Sequence, residues 1–597
     1  MATPHLDHLI ERVRDGRMSR RRFMRRLLAA GLTAPMATQL LTFAGIAHAQ
    51  PPESDYKPTK RGGGGTLKSL WWQAPTLLNP HFAIGTKDQD ASRIFYEPLA
   101  SWNERGDLVA VLAAELPSKD NGGIAADGKS VTWKLKQGVK WHDGKPFTAD
   151  DVVFNWEYGR NPATAAVTIG KYKDVNAEKV DDHTVRVLFD QPTPFWADAF
   201  TGAYGMLIPK HLFEAFIGDK SRDAPTNLAP VGTGPYKFKE FRPGDIVSGV
   251  INTDYHQPNR PYFDAIEMKG GGDAVSAARA VLQTGEYDFA WNLQVEDEVL
   301  KRLEAAGKGK VVILESSGIE HIQCNFTDPG AETDGQRANL KNKHPSLTDP
   351  AVREALNYLL DRDSVQKFIY GRTGIATPSY VNVPTRFKST NLKYEFNIQK
   401  AIDILDKAGW KPGGDGIREK GGVKLKYVFQ TSINQPRQKT QQVFKQSCQK
   451  AGIDLDLKSV TASVFFSSDF ANPDTYSKFY ADLQMYNTSS DTPDPALFLR
   501  CFLSSEASQK ENKWQGRNIT RYNNPKYDET WAKQQYEVDP IKRAQILIEC
   551  NDIACSDHAV LPIVNRPIVR AVINKLHATP SGFDSDHWAL ADWWKEV

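Results

Sequence analysis

From Thr66 to its end the chain alternates segments of two-residue hydrophobic period with segments of helical period, which restricts it to mixed α/β architectures. Thr66-Leu67-Lys68-Ser69-Leu70-Trp71 reads as a first strand. Val131-Thr132-Trp133-Lys134-Leu135-Lys136 alternates apolar and polar residues, and Val185, Val187 and Phe189 repeat the pattern, so both predict half-buried strands. Between them Thr148 caps a helix, with Asp151 three residues on in a variant capping box and Val152, Val153 and Trp156 as the packing face. Asp349-Pro350 sets a capping aspartate before a proline at the first helical position, and Val352, Ala355, Leu356 and Leu359 follow on one face. A further helix runs from Asn397 through Ile402 and Leu405 to Ala408, with Gly409 at its C-terminal cap.

The first 49 residues read differently. Ser19-Arg20-Arg21-Arg22-Phe23-Met24-Arg25 matches the twin-arginine export pattern, and a mostly apolar stretch from Leu27 to Ala47 follows. It ends at Ala47-His48-Ala49, a small-x-small site for cleavage before Gln50. Gly31 and Pro35 interrupt the run, which argues against a membrane anchor, and no later segment is long and apolar enough to span a bilayer. The net charge is +3, but eight Arg against Asp7, Glu11 and Asp15 put +5 in the leader, so the rest carries −2. The basic character therefore belongs to the export signal, and no nucleic-acid partner is expected. About 550 residues remain, more than one core organises, so two or three domains are expected. Residues 50–65, with Pro51, Pro52, Pro58 and Gly62-Gly63-Gly64-Gly65, read as a flexible tether. Cys324, Cys448, Cys501, Cys550 and Cys555 are widely spaced and odd in number, so at least one thiol stays unpaired and no metal site is indicated.

Asp127-Gly128-Lys129-Ser130-Val131-Thr132-Trp133-Lys134-Leu135, continuing as Gly138-Val139-Lys140-Trp141-His142-Asp143-Gly144-Lys145-Pro146-Phe147-Thr148-Ala149-Asp150-Asp151-Val152, resembles the signature of the peptide/nickel class of ABC-importer binding proteins, extracellular solute-binding protein family 5. Ile208-Pro209-Lys210-His211-Leu212, Val231-Gly232-Thr233-Gly234-Pro235-Tyr236, Gly285-Glu286-Tyr287-Asp288, Asp349–Leu356 with Asp361-Arg362, Ala408-Gly409 and Asp494-Pro495 follow in family order. The resemblance implies an α/β, two-lobed periplasmic-binding-protein fold (a Venus flytrap of class II, or cluster C) with an extra small domain beside the first lobe. Its implied organisation is a signal peptide over 1–49, a tether over 50–65, lobe I over 66–98, 206–305 and 556–597, a small domain over 99–205, and lobe II over 306–555.

His142-Asp143 looks like an acid–base pair, but Asp143-Gly144 is turn chemistry between a strand and a capped helix. Gly232-Thr233-Gly234 lacks the Gly-Lys-Ser/Thr ending of a phosphate loop and reads as a turn entering a strand. The resemblance places a ligand site in the cleft between lobes. There Trp71, Trp72 and Gln73 at the end of the first strand, and Trp291 and Asn292, are candidates on one side. Asn325, Phe326, Tyr486 and Asp491 are candidates on the other. Each aromatic has core packing as its competing role. Asp491, in Ser489-Ser490-Asp491-Thr492-Pro493-Asp494-Pro495, stands where peptide-binding relatives hold the ligand's α-amino group; its competing role is a turn or helix-cap aspartate. Thr488 stands where those relatives often carry Trp.

These features imply a periplasmic, monomeric, non-enzymatic receptor without cofactor or metal. It captures a di- or oligopeptide or an amine-bearing relative such as an opine and delivers it to the permease subunits of an ABC importer. An oligosaccharide receptor of the same fold is one alternative. A secreted hydrolase is another, although the chain has no G-x-S-x-G, S-x-x-K or H-E-x-x-H motif.

Overall fold

The computed structural model describes Arg12, Met18 and residues 56–596, with Arg105, Pro194, Phe195, Ser468, Phe470, Asp491, Tyr536 and Val538 excepted. The expected signal segment, apart from Arg12 and Met18, and residues 50–55 of the expected tether lie outside the described residues.

One continuous sheet of eleven strands runs through both halves of the molecule. At one end Thr66–Trp71 lies parallel to both Ala265–Gly270 and Phe289–Ala290, and the antiparallel strands Ile246–Ile251 and Tyr236–Arg242 extend the sheet beyond Ala265–Gly270. At the other end Lys426–Ser432 lies parallel to Asp454–Val460 and to Leu483–Thr488. Two long antiparallel strands, Gly309–Cys324 and Val560–Ile573, join these halves. Their register holds from Gly309↔Ile573 to Leu314↔Ile568, breaks, and resumes at Gly318↔Arg566.

The break has a local cause. Pro567 has no N–H to donate to a ladder, and it falls opposite Glu315–Ser317, where no pairs form. Ser316 Oγ bridges the gap, donating to the Arg566 carbonyl at 3.1 Å and accepting from Gly318 N–H at 3.0 Å. Gly318 is required there because a Cβ would stand 2.6 Å from that carbonyl oxygen. Such a bulge bends both strands together and is a natural crossing between two bodies.

The cores divide at the same place. One cluster collects buried side chains from Leu67 to Leu303 and from Val569 to Trp593. A second collects Ile322 to Met485 with Leu561, Ile563 and Val564, and a third around Tyr380, Phe502 and Tyr527 packs beside it. A small antiparallel sheet of Ser130–Lys134, Thr184–Phe189 and Val175–Asp181 carries the helix Ala149–Arg160 and shares the first core.

Asp151 accepts from Thr148 N–H at 3.0 Å, as the capping-box pattern requires, and Asp349 and Asn397 cap their helices through Ala351 N–H and Lys400 N–H. The His142-Asp143 turn docks this small sheet on the Gly232–Gly234 loop. Gly232 N–H donates to His142 Nδ1, and His142 Nε2 pairs with the Gly234 carbonyl. Gly144 has φ +90°, and burial holds His142 down near 4, so the pair is a structural tie and not an acid–base couple.

The Gly62–Gly65 run is not the flexible tether that its composition implies. Gly63 and Gly65 N–H donate to the two Asp264 carboxylate oxygens at 2.8 and 2.9 Å, while Gly62 and Gly64 N–H donate to the Pro261 and Tyr262 carbonyls. Positive φ at Gly62, Gly63 and Gly65 turns successive amides toward one carboxylate, a conformation open to glycine and not to a chain chosen for looseness.

Candidate functional site

A cavity of about 180 Å³ lies at the strand crossing, with room for on the order of a dozen water-sized groups. One wall comes from the first half: Gln73 after the first strand, Gly85–Lys87 at the start of helix Thr86–Arg93, and Trp291-Asn292 after Phe289–Ala290. Arg570, Gly582, Asp584 and Asp586 complete it. The opposite wall is Arg437, Phe466, Tyr476 and the run Tyr486–Ser490 at the end of Leu483–Thr488. Ser316, Arg566 and Pro567 of the crossing form the floor between them.

Gln73, Trp291, Asn292 and Tyr486 are therefore brought together, as the sequence expects. Trp71 and Trp72 stand one layer behind. Trp71 is fully buried, donates from Nε1 to Asp90 at 3.0 Å and stacks on Trp291 at 6.2 Å between ring centroids. Trp72 Nε1 donates to the Asn292 carbonyl at 2.9 Å, holding the turn in which Asn292 takes φ +50°. Both support the site and do not line it.

Asn325 and Phe326 do not reach the cavity. Both lie past the far end of Gly309–Cys324, roughly 25 Å along the strand from the crossing at about 3.3 Å per residue. Asn325 Nδ2 donates to the Phe479 and Ala481 carbonyls, and Phe326 packs on Tyr522 with the Arg353 guanidinium over its ring. Asp491 lies outside the described residues; its neighbours Ser489 and Ser490 line the cavity.

The charged groups were missed from sequence. Glu320, 1 % exposed, accepts from Arg437 Nε at 3.0 Å and Nη2 at 3.1 Å, and from Arg566 Nη1 at 3.3 Å. Burial alone would raise its carboxyl, but the two guanidiniums hold it below the usual glutamate range. Arg570 pairs with Asp586, which donates its backbone N–H to Asp90. Burial and the neighbouring Asp586 carboxylate push Asp90 upward. Asp584 accepts only backbone N–H bonds, from Trp102 and Ser585, and burial pushes it up to about 6. A readable signal existed: Arg566 and Arg570 interrupt the otherwise apolar strand Val560–Ile573, and a charge in such a run marks a buried partner or a site.

Several buried polar atoms of the lining have no partner among the described residues: the donors Gln73 Nε2, Trp291 Nε1, Asn487 Nδ2 and Arg566 Nε, and the acceptor Gln294 Oε1. Buried polar groups are costly unless bonded, so such a wall is built to be completed by a polar ligand. Phe466, Tyr476 and Tyr486, with ring centroids 5.1–6.5 Å apart, form an aromatic panel opposite Trp291. Trp291 is the one tryptophan in the lining. No histidine stands among the described lining residues, and among the described residues no three His, Cys, Asp or Glu side chains are grouped to hold a metal.

Residues 107–510 match the family model described as bacterial extracellular solute-binding proteins, family 5 Middle. The oligopeptide-binding protein AppA of Bacillus subtilis is 29 % identical over 404 residues, covering 65 % of this chain and 67 % of that protein. Its structure with a nonapeptide superposes with a TM-score of 0.77 at 24 % identity, covering 91 % of this chain and all of the other. The glutathione-binding protein GsiB of Escherichia coli is 25 % identical over 503 residues, 83 % of this chain and 88 % of the relative. NikZ of Campylobacter jejuni, solved with Ni(L-His), superposes with a TM-score of 0.75 at 24 % identity, covering 89 % of this chain and 99 % of the other. The likeness extends over both halves and the small sheet domain, and the fold is the two-lobed receptor fold.

Proposed function

The chain belongs to family 5 of the bacterial extracellular solute-binding proteins, and from that premise we propose that its cleft captures a short peptide or related amine-bearing solute for an ABC importer. The observation that carries this reading is the cavity at the strand crossing, walled from both lobes and lined with buried, unpartnered donors. A ligand that bonds to both walls favours the closed arrangement by its differential contacts, and the closed form is what the permease subunits recognise. The volume favours a small solute: about 180 Å³ suits a dipeptide-sized body better than a long peptide.

The lobe changeovers belong at the register break, near residues 315–317 and 567, in place of the positions 306 and 556 suggested by sequence. Asp491 anchors the ligand's ammonium beside Ser489 and Ser490, and Asp584, with no side-chain cation bonded to it, is a second carboxylate for that charge. The aromatic panel and Trp291 enclose the ligand's body; a single indole in the lining favours a peptide over a stack of sugar rings. The protein acts as a monomer without catalysis. It reaches the periplasm by the twin-arginine route and is cleaved after Ala49.

Native mass spectrometry of freshly purified protein tests the reading. One retained adduct per chain with a peptide-like mass supports it, and a retained oligosaccharide overturns the ligand class.

A further inference from the structure

The charges around the cavity do not pair evenly. Lys87 is bonded to Asp88 at 2.7 Å with both side chains buried, and Arg570 is bonded to Asp586. Arg437 and Arg566, by contrast, share the single carboxylate of Glu320. Arg437 takes both of its oxygens and also donates from Nη1 to Ser432 Oγ, whereas Arg566 reaches one oxygen through Nη1 alone. One guanidinium charge is thus left without a countercharge at the crossing, on a side chain only 5 % exposed.

The same corner holds two donors without acceptors, Arg566 Nε and Asn487 Nδ2. They converge across Gly318. A Cβ there would sit 3.5 Å from Asn487 Nδ2 and 2.6 Å from the Arg566 carbonyl, and Asn487 stands opposite Glu320 in the strand register. A buried cation with unbonded N–H groups is unfavourable alone, and a carboxylate satisfies both the charge and the donors.

We propose that this corner seats a free carboxylate of the solute on Arg566 Nε and Asn487 Nδ2, which makes Arg566 a determinant of specificity for acid-bearing ligands. The single excess charge matches one carboxylate. The corner lies on the strand that crosses between lobes, so an acid bound there touches the crossing itself. The inference rests on the import-receptor reading and deepens it: the solute bears a free acid as well as an amine.

The test is calorimetric titration of the full chain, freed of retained solute through denaturant, with a panel of dipeptides and tripeptides as free acids and as C-terminal amides. Free acids are expected to bind on the order of 10- to 100-fold more tightly than their amides. Arg566→Gln leaves Glu320 bonded to Arg437, keeping the fold while removing the excess charge, and is expected to abolish most of that preference with amide affinity changed only a few-fold. Asn487→Ala is expected to weaken acids more than amides. Equal affinity of acids and amides in the parent protein, or an undiminished preference in Arg566→Gln, overturns the inference and leaves the peptide reading standing. If no member binds in either form, the peptide reading falls and takes this inference with it.

Discussion

Glu320→Gln isolates the buried charge arrangement on which the site stands. In the parent, one fully buried carboxylate accepts three bonds from two guanidiniums. The substitution keeps the shape and one acceptor oxygen but leaves two buried cations without a countercharge, and turns an amide N–H₂ toward a guanidinium. Removing one partner of a buried ion pair costs about 3–5 kcal/mol. For a cooperative unit of the size of one lobe this lowers Tm by on the order of 10 °C. The pH dependence has a definite sign. Glu320 is held below its ordinary value of 4.5 by Arg437 and Arg566 despite burial, so its stabilisation is fully present above that value. It is lost as pH falls through the folded-state value. The gap between parent and Glu320→Gln is therefore largest at neutral pH and closes in acid. Urea titrations followed by tryptophan fluorescence at pH 7 and near pH 3 measure both gaps. A variant within 1 kcal/mol of the parent at pH 7 (a threshold of roughly the worth of one ordinary hydrogen bond), or an undiminished gap in acid, would refute the arrangement.

Four further outcomes follow from the same geometry. Asp491→Ala lowers affinity for amine-bearing ligands by about 2–5 kcal/mol in calorimetry if the carboxylate holds a buried ammonium, and barely changes it if Asp491 only shapes the turn. Trp291→Ala weakens ligand binding on the order of tenfold or more, whereas Asn325→Ala costs stability and leaves affinity unchanged, because Asn325 bonds only to backbone carbonyls far from the cavity. Gly232→Ala drives a methyl to 1.9 Å from the Phe95 carbonyl oxygen and destabilises the first lobe by about 3 kcal/mol or more, visible as a lower melting temperature. Asp584 has a folded value raised to about 6, so its protonated form stabilises the fold below its ordinary value of 3.8, and that contribution is lost as pH rises to 6. Asp584→Asn removes that part of the pH profile, read by thermal melts from pH 3 to 8.

Much of the scaffold was legible because its signals are local. Thr148 with Asp151, Asp349 before Pro350, and Asn397 each announce a helix start within four residues, and each cap is present. The His142-Asp143 turn was readable as structure because Gly144 follows it. The site was legible in part. Gln73, Trp291, Asn292 and Tyr486 follow strand ends that face the crossing. Asn325 and Phe326 follow a strand end of the same appearance, but Gly309–Cys324 is sixteen residues long and carries its end away from the cleft. Strand length across two bodies depends on partners hundreds of residues away, and no local pattern encodes it. The Glu320–Arg437–Arg566 group was hidden for the same reason: its members stand 117 and 246 positions apart. The glycine run misled by composition, since glycine serves both loose chain and tight amide nests.

The most direct measurement of receptor function is calorimetric titration of the solute-free chain with short free-acid peptides, followed by mass spectrometry of the recovered peptides. One-to-one saturable binding with every peptide recovered intact is the expected result. Cleaved peptides, or no heat of binding from any member while a neutral oligosaccharide binds, would contradict a peptide-capturing receptor.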